Sequence, residues 1–130
     1  MMSALFYDTL LRAFCAKSGL PPLRPDKRGA CDLIVDGDIP LRLQQDIANH
    51  RMLLVAFLGE TQNHMAKTLL EANRQAIRDN QPIIAADPEA KQYYACYILD
   101  QTRLTVDILS LKVSELVDYI RFWRDASRIE

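Results

Sequence analysis

Glycine is scarce in this 130-residue chain, and its four glycines stand apart at positions 19, 29, 37 and 59. Isolated glycines do not make the phosphate-cradling loop that opens a nucleotide-binding helix. Histidine is scarcer still. His50 sits in an expected turn and His64 near an expected helix start, with no HxxxH spacing between them and no CxxC anywhere, so no metal site is indicated. The cysteines, Cys15, Cys31 and Cys96, are odd in number and widely spaced, which argues against a disulfide framework and for a reducing compartment. Cys31 and Cys96 fall on apolar strand faces and read as inert core thiols; Cys15, near a helix end, is expected to be partly exposed. Sixteen basic against 17 acidic residues leave a net charge of −1, so no global field favours nucleic acid. No run approaches the ~18 apolar residues of a membrane span, so membrane insertion is not expected. No catalytic residues and no cofactor site emerge, and the chain does not read as an enzyme. The acidic group Asp32, Asp36, Asp38 and Asp46 lacks the tight, regular loop that calcium requires.

What is present is an ordinary globular composition, 49% hydrophobic and 25% charged. One domain spanning 1–130 is expected, long enough to bury roughly two-thirds of its unfolded surface. Met1–Cys15 is fairly apolar, but Asp8 and Arg12 interrupt it and Phe14 is too large for a cleavage site, so it reads as a helix of the mature protein.

The stretch from Cys31 to Gly59 has the most informative pattern. It reads as three strands, Cys31–Asp36, Ile39–Ile47 and Arg51–Leu58, joined by turns at Gly37-Asp38 and Asn49-His50. Hydrophobic matching favours a three-residue first turn, Gly37 to Ile39, which sets Leu33 opposite Leu43 and Val35 opposite Leu41. A two-residue second turn sets Ile47 opposite Met52, Leu43 opposite Ala56 and Leu41 opposite Leu58. One face then carries Cys31, Leu33, Val35, Leu41, Leu43, Ile47, Met52, Leu54, Ala56 and Leu58, a core face. The other carries Asp32, Arg42, Gln44 and Asp46, but also Ile34, Leu53, Val55 and Phe57. A solvated face does not normally align three large apolar residues on one strand. A helix of this chain, a second copy or a foreign chain would have to cover them.

A helix over Ser3–Lys17 precedes these strands, with Gly19 as its C-cap and Pro21-Pro22 preventing resumption. A polar loop, Leu23–Ala30, follows. After the strands, Thr61 or Asn63 can cap a second helix to about Asp79, whose narrow stripe of Met65, Leu69, Ala72 and Ala76 suits a close helix–helix contact as well as a peripheral helix. Two strands follow, Gln81–Ala86 and Lys91–Leu99. The latter is apolar on both sides, Tyr94, Cys96 and Ile98 against Tyr93, Ala95, Tyr97 and Leu99, and reads as a central strand covered on both faces. A long helix, about Leu104–Ser127, closes the chain with a stripe of Leu109, Val113, Leu116, Ile120 and Trp123, extended by Val106, Val117 and Phe122. The expected fold is α+β, an antiparallel sheet of about five strands with three helices in the order α-β-β-β-α-β-β-α.

Several features together resemble the class I chaperones of bacterial type III secretion, the Tir chaperone family. They are the first helix running into Lys17-Ser18-Gly19-Leu20-Pro21, the charged loop and three-stranded meander after it, Asn73 in the second helix, and the long last helix. The resemblance covers nearly the whole chain. It implies a homodimer of the bacterial cytoplasm, without enzymatic activity or cofactor, that binds the N-terminal segment of a secreted effector and keeps it extended and secretion-competent. The client would supply the cover for Ile34, Leu53, Val55 and Phe57, with Arg42 at the rim, by side-chain burial and strand addition. The dimer contact would involve Leu69, Ala72 and Ala76 of the second helix and the neighbouring Ile83 and Ile84. Some relatives bind a secretion regulator, and an adaptor or regulatory protein of the same fold is the alternative. A small-ligand binder would need convergent polar groups on the core face, where none are found.

Overall fold

The computed structural model describes the backbone of residues 2–60 and 63–129 and the side chains of residues 5–60 and 65–125. Helix α1 (Met2–Ser18) buries Tyr7, Leu10, Leu11 and Phe14 at i, i+3, i+4 and i+7, while Leu5 points to solvent. Gly19 ends it in the left-handed region at φ 68°, and Leu20 N–H donates to the Cys15 carbonyl at 2.9 Å, a Schellman closure. Strands β1 (Ala30–Val35), β2 (Ile39–Asp46) and β3 (Arg51–Glu60) follow, then α2 (Asn63–Asp79), β4 (Ile83–Asp87), β5 (Gln92–Asp100) and α3 (Val106–Ile129). Asn63 is the first residue of α2; Thr61, the other expected cap, lies outside the described residues. Helix α2 also ends in a Schellman closure, with Asn80 at φ 54° and Gln81 N–H bonded to the Ala76 carbonyl at 3.0 Å.

The five strands form one antiparallel sheet in the order β1-β2-β3-β5-β4. The expected registers are each displaced by two residues. Leu33 pairs with Leu41 and Val35 with Ile39, across a turn of Asp36, Gly37 and Asp38 in which Asp36 and Gly37 take φ 52° and 78°. The turn keeps its odd length but starts one residue earlier. This releases Ile39 into the core, where it is fully buried. Between β2 and β3 the connection has four residues: a 3-10 turn at Ile47–Asn49, then His50 at φ 52°. Leu43 therefore pairs with Leu54 and Leu41 with Ala56, and Ile47 leaves the core face for solvent. A two-residue displacement preserves the facing of every side chain, because strand side chains alternate with period two.

Cys31, Ile39, Leu41, Leu43, Met52, Leu54, Ala56, Ala95, Tyr97 and Leu99 are buried on one face of the sheet, with α1 and the Leu109, Val113, Leu116, Val117 and Ile120 stripe of α3. Phe122 departs from that stripe and is 63% exposed. Lys17 of α1 bonds Asp107 of α3 at 2.5 Å.

Helix α2 runs along β4. Its Asn73 side chain donates to the Ile84 carbonyl and accepts from the Ile84 N–H, both at 2.7 Å. The amide thus acts as one rung of a further strand on an edge that would otherwise present unpaired backbone.

Candidate functional site

The second face of the sheet carries the candidate surface. Ile34 of β1 is 64% exposed, and Leu53, Val55 and Phe57 of β3 are half-buried. Pairing between β3 and β5 sets Leu53 opposite Ile98, Val55 opposite Cys96 and Phe57 opposite Tyr94. Strand β5 is internal, as its two apolar sides suggest, but its outer side is open: Ile98 is 54% exposed and Tyr94 and Cys96 are half-buried. The expectation that both faces of this strand are covered is therefore corrected. Helices α1 and α3 share the opposite core and α2 flanks the β4 edge. Phe57 and Tyr94 meet edge to face, with ring centroids 6.5 Å apart.

Two open cavities lie on this face. One, of about 390 Å3, is bordered by Ile34, Pro40, Arg42 and Phe57. The other, of about 380 Å3, is bordered by Arg42, Leu53, Val55, Phe57, Pro88 and Tyr94. Arg42 and Phe57 form the ridge between them. Arg42 is held there by Asp32 of the neighbouring strand, donating from Nε at 2.7 Å and from Nη2 at 3.1 Å. That hydrogen bond is the main reason the Asp32 carboxyl sits below its ordinary pKa. A two-point contact fixes the guanidinium over the sheet while leaving other donors for a guest. The result is an open, largely apolar sheet face with one positioned cation at its ridge.

The residues expected at a twofold contact separate into two groups. Leu69, Ala76 and Ile84 are 3%, 1% and 5% exposed and belong to the chain's own core. Ala72 is half-buried and Ile83 is 39% exposed. The exposed apolar side chains of α2 are instead Leu70 and Ile77, each 70% exposed. They are seven residues apart and so lie on the same helix face. Alternation in β5 could have found Tyr94, Cys96 and Ile98 once β3 and β5 were known to pair. Helical spacing groups Leu69 with Met65 and Ala76 and sets Leu70 apart, but it does not say which surface that stripe meets.

Cys15, expected to be partly exposed, is buried, whereas Cys96 lies half-buried on the open face. His50 occupies an exposed turn, and the side chain of His64 lies outside the described residues. Among the described residues no three of His, Cys, Asp and Glu come together as a metal site, and no helix is long and apolar enough to cross a membrane.

Comparison with known proteins matches this architecture. Residues 9–124 match the model of the Tir chaperone protein (CesT) family. A chain of the HopA1–SchA chaperone–effector complex is similar with a TM-score of 0.89 at 30% identity, over 96% of this chain and 98% of that one. A chain of the ExsC–ExsE complex has the same fold, with a TM-score of 0.84 at 22% identity over 92% and 91% of the two chains. So does one from the Yersinia pestis type III secretion chaperone SycH in complex with a fragment of YscM2, with a TM-score of 0.74 at 17% identity over 90% and 98%. No curated protein matches the chain.

Proposed function

Because the chain belongs to the Tir chaperone protein (CesT) family of type III secretion chaperones, we propose that residues 1–130 act as a single non-enzymatic chaperone domain in the bacterial cytoplasm. It binds the N-terminal segment of a secreted effector in extended form and keeps it secretion-competent. The observation that carries this reading is the open sheet face. Ile34, Leu53, Val55 and Phe57, continued by Tyr94 and Ile98, make an apolar strip that no helix of the chain covers among the described residues. A guest that orders on binding can bury such a strip and meet its ordering cost from that burial. Arg42 supplies a charged contact at the ridge. The chaperone–effector complex to which the chain is similar supports a client of this kind.

We further propose a homodimer, with its seam on α2 and β4. Since Leu69, Ala76 and Ile84 are spent on the core, the seam falls to Leu70, Ala72, Ile77 and Ile83. Around a twofold axis two antiparallel α2 helices lay Leu70 of one copy against Ile77 of the other.

The test of the client face is Phe57→Asp. Phe57 is half-buried and its ring contacts Tyr94, so the free protein loses about 1 kcal/mol or less on a thermal melt. Pull-down of the effector from the native host is lost, because apolar anchors of a peptide-binding patch carry much of the binding energy. A collapsed melt would show that the face is internal, and unchanged capture would place the client elsewhere.

A further inference from the structure

The end of α3 lies on the core side of the sheet, yet it reaches the tip of the β1–β2 hairpin and one end of the open face. Arg121 pairs with the Asp36 carboxylate in the hairpin turn. One turn of helix later, Arg124 donates from Nη1 to the Asp38 carbonyl at 3.1 Å and from Nη2 to the Phe57 carbonyl at 3.4 Å. The two arginines therefore grip both ends of the three-residue turn and the backbone of β3 where its register shifts at the Phe57/Gly59 bulge. Strand β1 is an edge strand, paired with β2. Its Leu33 and Val35 are half-buried, and beside them a cavity of about 400 Å3 opens between α1, β1 and α3, with Asp36 and Arg121 at its rim. An edge strand flanked by such a void has little packing to hold its tip.

We propose that Arg121 and Arg124 are positioning residues: a charge-based latch through which the end of α3 sets the hairpin tip and, with it, the spacing of Ile34 and Phe57 across the client face. The latch rests on the proposed client surface only for its functional meaning. Its mechanical content stands on the contacts alone and is tested without a client. An exposed ion pair by itself holds weakly and is screened by salt. The two carbonyl contacts of Arg124 add a component that salt affects less.

The test is hydrogen exchange read by mass spectrometry on the full chain. In Arg121→Gln and in Arg124→Gln, amides of residues 33–41 exchange roughly threefold faster or more, while those of β5 stay within experimental error. Raising salt to about 0.5 M, where the Debye length falls below about 5 Å, accelerates the same amides in the parent protein but not further in Arg121→Gln. Arg121→Lys, which keeps the charge opposite Asp36 and leaves the left-handed Asp36 untouched, retains slow exchange where Arg121→Gln does not, a difference that loss of packing alone would not give. Acceleration below threefold in the Gln variants, a salt response undiminished in Arg121→Gln, or exchange in Arg121→Lys as fast as in Arg121→Gln would each overturn the latch. Loss of effector capture in Phe57→Asp bears on the client face and leaves these outcomes untouched.

Discussion

Asn73 is the side chain whose removal the geometry prices most directly. Its carboxamide makes two hydrogen bonds of 2.7 Å to one residue, the N–H and the C=O of Ile84, which is 5% exposed. Asn73→Ala deletes both bonds and leaves two backbone groups of an edge strand facing an apolar helix. Each bond contributes about 1 kcal/mol net, and each stranded group adds a desolvation cost of similar size. Water can reach a sheet edge in part, so the expected loss is about 2–4 kcal/mol. For a domain of this size that lowers the melting temperature by roughly 6–15 °C. Urea denaturation followed by circular dichroism measures the loss directly, and a loss below about 1 kcal/mol would refute the strand-mimic role.

Asn73→Asp sharpens the test, because the replacement is isosteric and its donor depends on pH. As a neutral acid it donates to the Ile84 carbonyl and accepts from the N–H; as a carboxylate it only accepts and faces the carbonyl oxygen. Its folded pKa therefore lies above the unfolded value of about 3.9. The sign follows from linkage: the stabilising bond is fully present below about pH 4 and is lost as pH rises through the raised folded value. The stability gap between this variant and the parent narrows on acidification from about pH 7 to about pH 4. A gap independent of pH would show that the donor to Ile84 contributes nothing.

Ile77→Asp on the exposed face of α2 converts a species of twice the 14.9 kDa chain mass into one of 14.9 kDa by light scattering, with the melt of the subunit little changed; a variant that stays dimeric would move the seam off α2. Ala76→Glu, by contrast, buries a charge at a position 1% exposed and unfolds the chain, which circular dichroism distinguishes from mere dissociation. Among the thiols, burial pushes Cys31 up to about 11, with neighbouring Cys15 and the Asp26 and Asp32 carboxylates adding to it. Burial raises the Cys96 thiol too, but Cys96 lies half-buried on the open face, so a disulfide reagent at about pH 8 modifies it first and reaches Cys15 and Cys31 only on unfolding; rapid loss of all three would contradict the core placement.

The split between core face and open face was legible from residues 31–59 alone, although both turns were misplaced. Hydrophobic matching fixes only the parity of a strand, since a slip of two residues returns every side chain to the same side. The deciding terms lay in turn geometry. The left-handed conformations of Asp36, Gly37 and His50 select a three-residue and a four-residue connection, and these bring Ile39 inward and send Ile47 outward. Nothing in a period-two pattern registers that preference when Asp-Gly-Asp can be cut at several points in the first turn and Asn49-His50 mark only part of the second. The membership of the open face is unaffected because it depends on parity, whereas the rim cavities and the Asp32–Arg42 contact depend on register.

On α2 the sequence left a different choice open. The stripe of Met65, Leu69, Ala72 and Ala76 is apolar, but a helix has one set of small residues and two surfaces that could want them. Asn73 decides between them. It lies three residues before Ala76 and four after Leu69, so all three point toward β4, and the two bonds to Ile84 lock that orientation. Once Asn73 is committed to its own sheet edge, Leu69 and Ala76 are committed with it, which leaves Leu70, Ala72 and Ile77 of α2 to the proposed second copy. The residue that most limits the choice of partner for α2 is thus one whose side chain is bonded to its own chain's sheet edge. If Asn73→Ala loosens α2 from β4, light scattering should show a weakened dimer even though Leu70 and Ile77 are intact. A dimer of undiminished affinity in a measurably destabilised Asn73→Ala protein would sever that link and return the seam to another surface.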